Sequence, residues 1–574
     1  MRTLLLLIAL LLPLSAQETL IREVHDPKTD THVEVTALFS QASRSGFFPV
    51  RVKIANNQNV KHTIHLNSTA TPGYRNSVSS KASFSFEVGP GKSATHDILI
   101  PLAPCPSAST NYTSVNFRLT GTMGDSMNGQ HDQYRSGHPS VLLSETLFTP
   151  NGSALDSALS GSSTRSYSNE AFAGKFDPKQ LPTDWLAFSG YDSVLMTDTD
   201  WSATPPGSRN AILSWLRLGG QLVIYSSSTP TRASLGLPEE TSFGTIVFEH
   251  IASDLKLNPK ATVALVQKEN PARTITDSIL NDYRSGWPLQ HHFGKKAFSY
   301  GLFILVLILF AILVGPVNLF VFAKSGRRHR LFITTPVISL GASLVLIALI
   351  IFQDGFGGAG SRRILMEVRP DAGLNAAFIH QEQFTRTGIL TGTRFSTDPA
   401  CLLTPVPIGK SRWARYTNHH STSGVFNLQP TGGGKLNASG DWFQSRSEHG
   451  HIASAVIPTR GRIEHGPTPQ TLVSTFDFPI QTLFYMDDSK NWFRAENIQT
   501  GKPFTITPVE YSMISKTLAS QANQFSKRNR RFLTKAENRP GHFVALTDSA
   551  PAIETLAKIR WKETQTVITG PVVR

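Results

Sequence analysis

Apolar positions alternate with polar ones near the N-terminus. Phe48–Ile54 sets Val50, Val52 and Ile54 on one side, Val33–Phe39 has strand composition, and Thr63–Leu66 resumes the alternation after the polar turn Asn56–Asn59. Ser83–Val88 and His96–Ile100 flank the turn Gly89–Ser93. A period of two marks strands with one buried face, so residues 17–135 are expected to form a β-sandwich. Gly91-Lys92-Ser93 is not a phosphate-binding loop: its first glycine would fall on Phe86, and it joins two strands rather than a strand and a helix.

The pattern changes over residues 136–290. Val141–Leu143, Leu186–Phe188, Ser193–Met196 and Gln221–Tyr225 are short, continuously apolar runs, as expected of strands buried on both faces. Pro205–Leu218 has helical periodicity through Ile212, Trp215, Leu216 and Leu218, with Thr204 as the expected N-cap and Gly219-Gly220 as the stop. Strand, helix, strand predicts a flavodoxin-like α/β unit with a parallel sheet.

Two runs, Leu302–Phe322 and Leu331–Phe352, contain no charged residue. About 20 residues of helix cross a hydrocarbon core of about 30 Å, so transmembrane helices are expected over residues 298–323 and 331–352. The loop 324–330 between them carries Lys324, Arg327, Arg328 and Arg330, which places it on the cytoplasmic side. Residues 353–361 read as a Gly-rich linker.

Residues 362–574 read as a mainly-β unit, with strand-like runs at Ile364–Val368, Ala453–Ile457, Leu472–Phe476, Thr482–Met486 and Val567–Ile568. Pro508–Asn523 is an expected helix, and Phe543–Thr547 with Ala552–Ile559 an expected strand–helix pair. At the other end, Arg2, the apolar run Leu4–Leu12 and Ser15-Ala16 compose a signal peptide over residues 1–16, with the mature chain starting at Gln17. With this export signal and the basic loop, both large soluble parts are expected outside the cytoplasm.

Composition narrows the class. A mean hydropathy of −0.13 excludes a polytopic transporter. The 34 Phe and 8 Trp exclude wholesale disorder, and two cysteines exclude a disulfide-dense scaffold. The formal charge of +14 suits anionic partners. For an exported chain these are a membrane surface or envelope polymer, not nucleic acid.

The stretch YDSVLMTDTDW…RNAILSWLRLGGQLVIY, from Tyr191 to Tyr225, resembles the class I glutamine-amidotransferase-like fold. That fold recurs in uncharacterised bacterial membrane proteins and in auxiliary components of some ABC export systems. GPVNLFVFAKSGRRHRLFITTPV, from Gly315 to Val337, is similar to the helix hairpin that follows such domains. The resemblance implies a bacterial inner-membrane protein, with an exporter or another membrane protein as its partner. The enzymatic relatives carry a nucleophilic Cys on a tight strand-to-helix turn. Here Cys105 and Cys401 lie outside the α/β segment, the strand Gln221–Tyr225 runs into Ser226-Ser-Ser-Thr-Pro230, and no G-x-S-x-G elbow is present there. A non-catalytic role is expected, with no cofactor.

Remaining candidate chemistry is sparse. Asp198 and Asp200 stand where a parallel strand ends, the ligand side of open α/β sheets. Two carboxylates there hold a cation or do acid–base work, or else they accept hydrogen bonds from turn and helix amides. The first alternative makes the protein an extracytoplasmic hydrolase or transferase. His291-His292, His419-His420 and His449-x-His451 lack a third ligand at telling spacing, so no metal site is expected. Lys527, Arg528, Arg530 and Arg531 form a basic cluster, either an anion-docking site or a solvated helix end. Cys105 and Cys401 are either bridged or free. Within the membrane pair, Asn318 near the inner end of the first helix and Thr334 and Thr335 near the start of the second fall at one depth, with Gly315 expected to allow close approach. Asn318 is expected to hydrogen-bond the second helix. The sequence thus describes a two-helix, bilayer-anchored binding or scaffold protein, partnered by another membrane protein or by its own copies.

Overall fold

The computed structural model describes residues 18–72, 77–104, 112–134, 138–162, 171–241, 243–269, 287–294, 300–370, 375–406, 408, 423–431, 434–468, 470–536 and 539–573. The proposed signal peptide, Cys105 and His419-His420 lie outside them.

The N-terminal sandwich has a four-stranded antiparallel sheet, ordered Glu18–Asp26, Thr31–Ala37, Phe47–Asn56 and Lys92–Pro101. Opposite it lie His62–Thr71, Ser77–Val88, Tyr112–Gly121 and Gly124–Tyr134. Alternation decides which side chains turn inward: Val50, Val52 and Ile54 of one sheet are buried with Ile64, Leu66, Phe86, Val115 and Phe117 of the other. The segment Gly89–Gly91 joins two strands, Ser77–Val88 and Lys92–Pro101.

This second sheet does not end where the N-terminal segment ends. Ser423–Thr431 joins Ser77–Val88 in parallel, in the register Val78–Gly424 and Ser79–Val425, followed by Lys435–Gly440 and Phe395–Thr397. Lys81 N donates to Asn427 Oδ1 at 3.1 Å and Ser83 N to Gln429 Oε1 at 2.7 Å. The expectation of separate N-terminal and C-terminal β units is therefore revised. The edge of Ser77–Val88 carries unpaired backbone groups that need partners, and the C-terminal half supplies them.

The α/β unit has five parallel strands. Numbered along the chain as Val141–Ser144, Ala173–Phe176, Ser193–Thr197, Gln221–Ser226 and Thr245–His250, they run 2-1-3-4-5 across the sheet. The first, third and fourth are buried along their whole length because helices cover both faces. Glu145–Ser162 and Pro259–Glu269 bury Leu155 and Val266 against Leu143, Leu195 and Val223. Pro206–Arg217 buries Ile212, Trp215 and Leu216 against Val194, Leu222 and Ile224. Gly220 is required at the turn: a Cβ there would lie 2.4 Å from the Trp215 ring. Two local expectations are corrected. Leu186–Phe188 lies in a 3-10 turn, Trp185–Phe188, capped by the Asp184 carboxylate. Thr204 does not cap the helix after it; it closes the preceding helix Asp198–Ala203, donating to the Asp200 carbonyl at 2.9 Å.

Two helices are long and apolar enough to cross a membrane, Tyr300–Phe322 and Arg328–Asp354. The first is α-helical to Ile312 and π-helical over Leu313–Phe322, around Pro316, which has no backbone N–H to give. The second runs almost directly into the strand Gly358–Arg369, so the expected linker is reduced to a short turn. Gly355 and Gly357 make it with φ of 72° and 77°, and a Cβ at Gly357 would come 2.7 Å from the Lys558 carbonyl.

The strand Gly358–Arg369 is central to a large sheet. It pairs antiparallel with Ala376–Thr387 and parallel with Ile559–Val573. Ile559–Val573 pairs in turn with His542–Thr547, so the expected helix at Ala552–Ile559 is instead irregular chain leading into a strand. The helices Tyr511–Ala522 and Lys527–Ala536 cover one face, burying Ile514, Leu518 and Phe532 with Leu365, Phe484 and Val567. Because Ala376–Thr387 is covered on both faces, even His380, Gln381, Glu382 and Gln383 are buried. The α/β unit docks on this sheet: Arg217 lies 5.4 Å over the Phe378 ring, Phe243 packs 4.4 Å from Phe532, and Glu240 pairs with Arg369 at 3.2 Å.

Candidate functional site

In a sheet ordered 2-1-3-4-5, ligands bind beyond the carboxyl ends of strands 1 and 3, where the chain direction of winding reverses. Asp198 and Asp200 stand at that edge. Thr197 and Asp200 form a reciprocal cap: Thr197 Oγ1 accepts from Asp200 N at 3.0 Å and Asp200 Oδ2 accepts from Thr197 N at 3.1 Å. Asp200 Oδ1 accepts from Thr146 Oγ1 at 2.7 Å. Thr146 belongs to the helix that follows strand 1, so this bond spans the switch point. Asp198 accepts from Thr199 N at 2.7 Å and from Ser226 Oγ at 2.5 Å, tying strand 3 to strand 4. Lys175 and Glu145, 3.6 Å apart, tie strand 2 to strand 1. The carboxylates therefore point into neighbouring elements. Thr146 and Ser226 carry no sequence motif; their positions, just after strand 1 and at the last residue of strand 4, were the available signal.

The other candidates separate in space. Lys527 and Arg531 are exposed and Arg530 donates to the Ala522 carbonyl at 3.2 Å; the Arg528 side chain lies outside the description. The buried polar group among the described side chains of that helix is Asn529, whose Nδ2 donates to Glu382 Oε1 at 2.6 Å. Glu382 also accepts from Ser526 Oγ at 2.6 Å and Trp287 Nε1 at 2.9 Å. Burial pushes the Glu382 carboxyl up, against the pull of these donors. Glu367, equally buried, accepts from Arg369 and Arg539 at 3.0 and 3.1 Å.

The histidines do not assemble. His292 pairs with Glu563 at 2.9 Å. His451 is buried against the Trp442 carbonyl, 2.9 Å from Nε2, and burial pushes it down to about 3. His449, half-buried, is pushed down to about 4 by desolvation as well. Both are neutral at physiological pH. Among the described residues no group of three His, Cys, Asp or Glu is disposed to hold a metal ion. Cys401 is a buried free thiol, pushed up to about 11 by burial.

In the helix pair, Asn318 is fully buried and its Nδ2 donates to Thr335 Oγ1 at 2.9 Å. Thr334 instead donates to the Arg330 carbonyl of its own helix at 3.0 Å. Gly315 does not mediate close approach; a Cβ there would meet nothing within 4 Å. The π-helical stretch bonds each residue to the fifth along, so a residue three before Asn318 leaves its face. Lys324, Arg327, Arg328 and Arg330 are exposed, with no carboxylate in contact among the described residues.

No family model matches the chain, and no curated protein matches it. Among solved structures, an Archaeoglobus fulgidus protein is similar at TM-score 0.14 and 12% identity, over 18% of this chain and 95% of that one. A Paenibacillus cycloisomaltooligosaccharide glucanotransferase is similar at TM-score 0.17 and 11% identity, over 33% of this chain and 27% of that one. A Bacteroides uniformis β-glucuronidase is similar at TM-score 0.16 and 11% identity, over 43% of this chain and 33% of that one. This chain thus spans only about a third of either enzyme. Likenesses of this size assign neither a shared fold nor a function.

Proposed function

We propose that the protein is a two-span membrane protein of the bacterial envelope whose soluble parts, all extracytoplasmic, bind or scaffold another membrane protein. One observation carries the reading. Ser77–Val88 precedes the helix pair, Ser423–Thr431 follows it, and the two are hydrogen-bonded neighbours in one sheet. Segments that share a sheet share a side of the membrane, so the chain between them crosses an even number of times. The basic loop at Lys324–Arg330 supports the reading that this side is outside the cytoplasm. The 2-1-3-4-5 strand order supports a flavodoxin-like sheet of the kind found in amidotransferase-like auxiliary subunits of exporters. A non-catalytic role is favoured by the Asp198 and Asp200 carboxylates, which are committed to Ser226, Thr146 and backbone amides.

The test is cross-linking in native membranes followed by purification of the full chain. A membrane-protein partner recovered in stoichiometric amount supports the reading. A turnover that survives purification and is abolished in a folded Asp198→Ala variant would replace it with the hydrolase or transferase alternative. A reporter behind Arg574 should read outside and one inserted at Gly326 inside.

A further inference from the structure

A cavity of about 270 Å³ lies where the second apolar helix meets the large sheet, lined by Phe293, Asp354, Phe356, Arg386, Arg560 and Lys562 among others. Its place follows from the chain path. Phe293 closes the short helix Pro288–Phe293 shortly before the first span begins at Tyr300, and Asp354 ends the second span. If both helices lie in a bilayer, the cavity opens at its surface. Phe352 and Phe356, 94% and 68% exposed, present large apolar side chains at that level, where such side chains bury at the boundary of headgroups and acyl chains.

The charges do not cancel. Arg386 is held by Glu448 at 2.7 Å and donates to the Gly294 carbonyl at 2.6 Å. Asp354 is matched by Arg446 at 2.8 Å. Glu563, next to Lys562 in sequence, is taken up by Arg363 at 2.8 Å and His292 at 2.9 Å. Arg560 and Lys562 remain. Both are exposed, both line the cavity, and neither has an acidic partner among the described residues. Lys562 Nζ sits 5.3 Å from the Phe293 ring centre, with the Arg386 guanidinium 5.1 Å from the same ring, which steers both cations to the cavity. An aromatic wall, a membrane-level opening and two unmatched cations are complementary to an anionic phosphate group with an apolar remainder.

We propose that this cavity binds a phosphate anion, borne by the headgroup of an anionic phospholipid or free in solution, through Arg560 and Lys562. The proposal rests on the two-span reading for the lipid source only. The test uses the full chain in neutral detergent, titrated with phosphatidylglycerol, phosphatidylcholine or inorganic phosphate, with thermal melting and retained lipid as readouts. Saturable stabilisation by phosphatidylglycerol, with none from the other two, is the expected result and assigns the lipid source. Equal saturable stabilisation by inorganic phosphate assigns the free anion. In either case the Arg560→Gln/Lys562→Gln variant should bind roughly thirtyfold more weakly, at about a factor of five for each cation lost. The charge-preserving Arg560→Lys/Lys562→Arg pair should bind like the parent, and melting without ligand shows that each variant folds. Unchanged binding in the Gln pair, or phosphatidylcholine equal to phosphatidylglycerol, would overturn the proposal. Alkaline extraction of native membranes separates the two readings: release of the parent protein would remove the two-span reading, while the inorganic phosphate titration would still decide the cavity.

Discussion

The parallel sheet of the α/β unit and the large C-terminal sheet solve the same packing problem with opposite chemistry. Both have central strands covered on two faces. In the parallel sheet those strands read VLLS, SVLMT and QLVIYS, and polar side chains are concentrated at the strand ends. In the large sheet the central strand Ala376–Thr387 reads AAFIHQEQFTRT, and His380, Gln381, Glu382 and Gln383 are all buried at its middle. The apolar interior is tolerant, because any aliphatic of similar volume fills it. The polar interior depends on each partner: Glu382 on Trp287, Ser526 and Asn529, Gln381 on the Ile553 backbone at both its amide atoms. These bonds fix which helix and which loop sit over the strand, a constraint that interchangeable aliphatics do not impose.

The comparison predicts a ranking. Glu382→Ala leaves at least three buried donors unmatched, at about 1–3 kcal/mol each, so the C-terminal unit should lose about 3 kcal/mol or more in denaturant unfolding followed by tryptophan fluorescence. Asp200→Ala removes a reciprocal cap and the Thr146 bond and should cost about 1–2 kcal/mol; a larger loss than for Glu382→Ala would reverse the ranking. Asn318→Leu should weaken helix pairing by about 0.6 kcal/mol, and at most about 1.7, while the protein still resists alkaline extraction. The smallest effect is a pH dependence at the contact between the two sheets. The His542 imidazole beside Glu240, helped by Arg369, holds that carboxyl down at about 2, below its ordinary value of 4.5. A lowered acid value in the folded state gives a contribution that is complete above the ordinary value and disappears as pH falls towards 2. Glu240→Gln should therefore lower stability modestly at neutral pH, where the contribution is complete, and converge with the parent as pH falls towards 2, which flattens the acid limb of unfolding.

Legibility in the sequence follows the same divide. Val141–Ser144, Ser193–Thr197 and the helix Pro206–Arg217 announce themselves because burial on both faces requires short apolar runs there. The two long apolar helices are legible because charge-free runs of that length stand out from the rest of the chain. Ala376–Thr387 is illegible: a strand whose polar groups are satisfied on both faces has neither the alternation of a half-buried strand nor the apolar run of a buried one. Leu186–Phe188 misleads because three apolar residues fit a strand edge and a buried 3-10 turn equally. At the α/β edge, Asp198, Asp200 and the run beginning at Ser226 are visible as residues, but Thr146 and the pairing of these hydroxyls with the carboxylates are not, since a hydroxyl finds its acceptor through the fold and leaves no spacing to read. Gly315 misleads for a related reason: face assignments assume an α-helical period that Pro316 interrupts.

The shared sheet of the two halves also sets an order in time. Ser77–Val88 is made early, but the strand that seals its edge, Ser423–Thr431, emerges only after both apolar helices. Until then the nascent protein carries an open edge, with the backbone amides of Lys81 and Ser83 waiting for Asn427 and Gln429. Contacts so distant along the chain form slowly, and an unsealed edge is where chains join one another. The edge of the N-terminal sandwich therefore stays without its partner strand for as long as synthesis of the second half lasts. A chain cut between the helices and residue 423 should yield an N-terminal half that aggregates, although its own strands are intact.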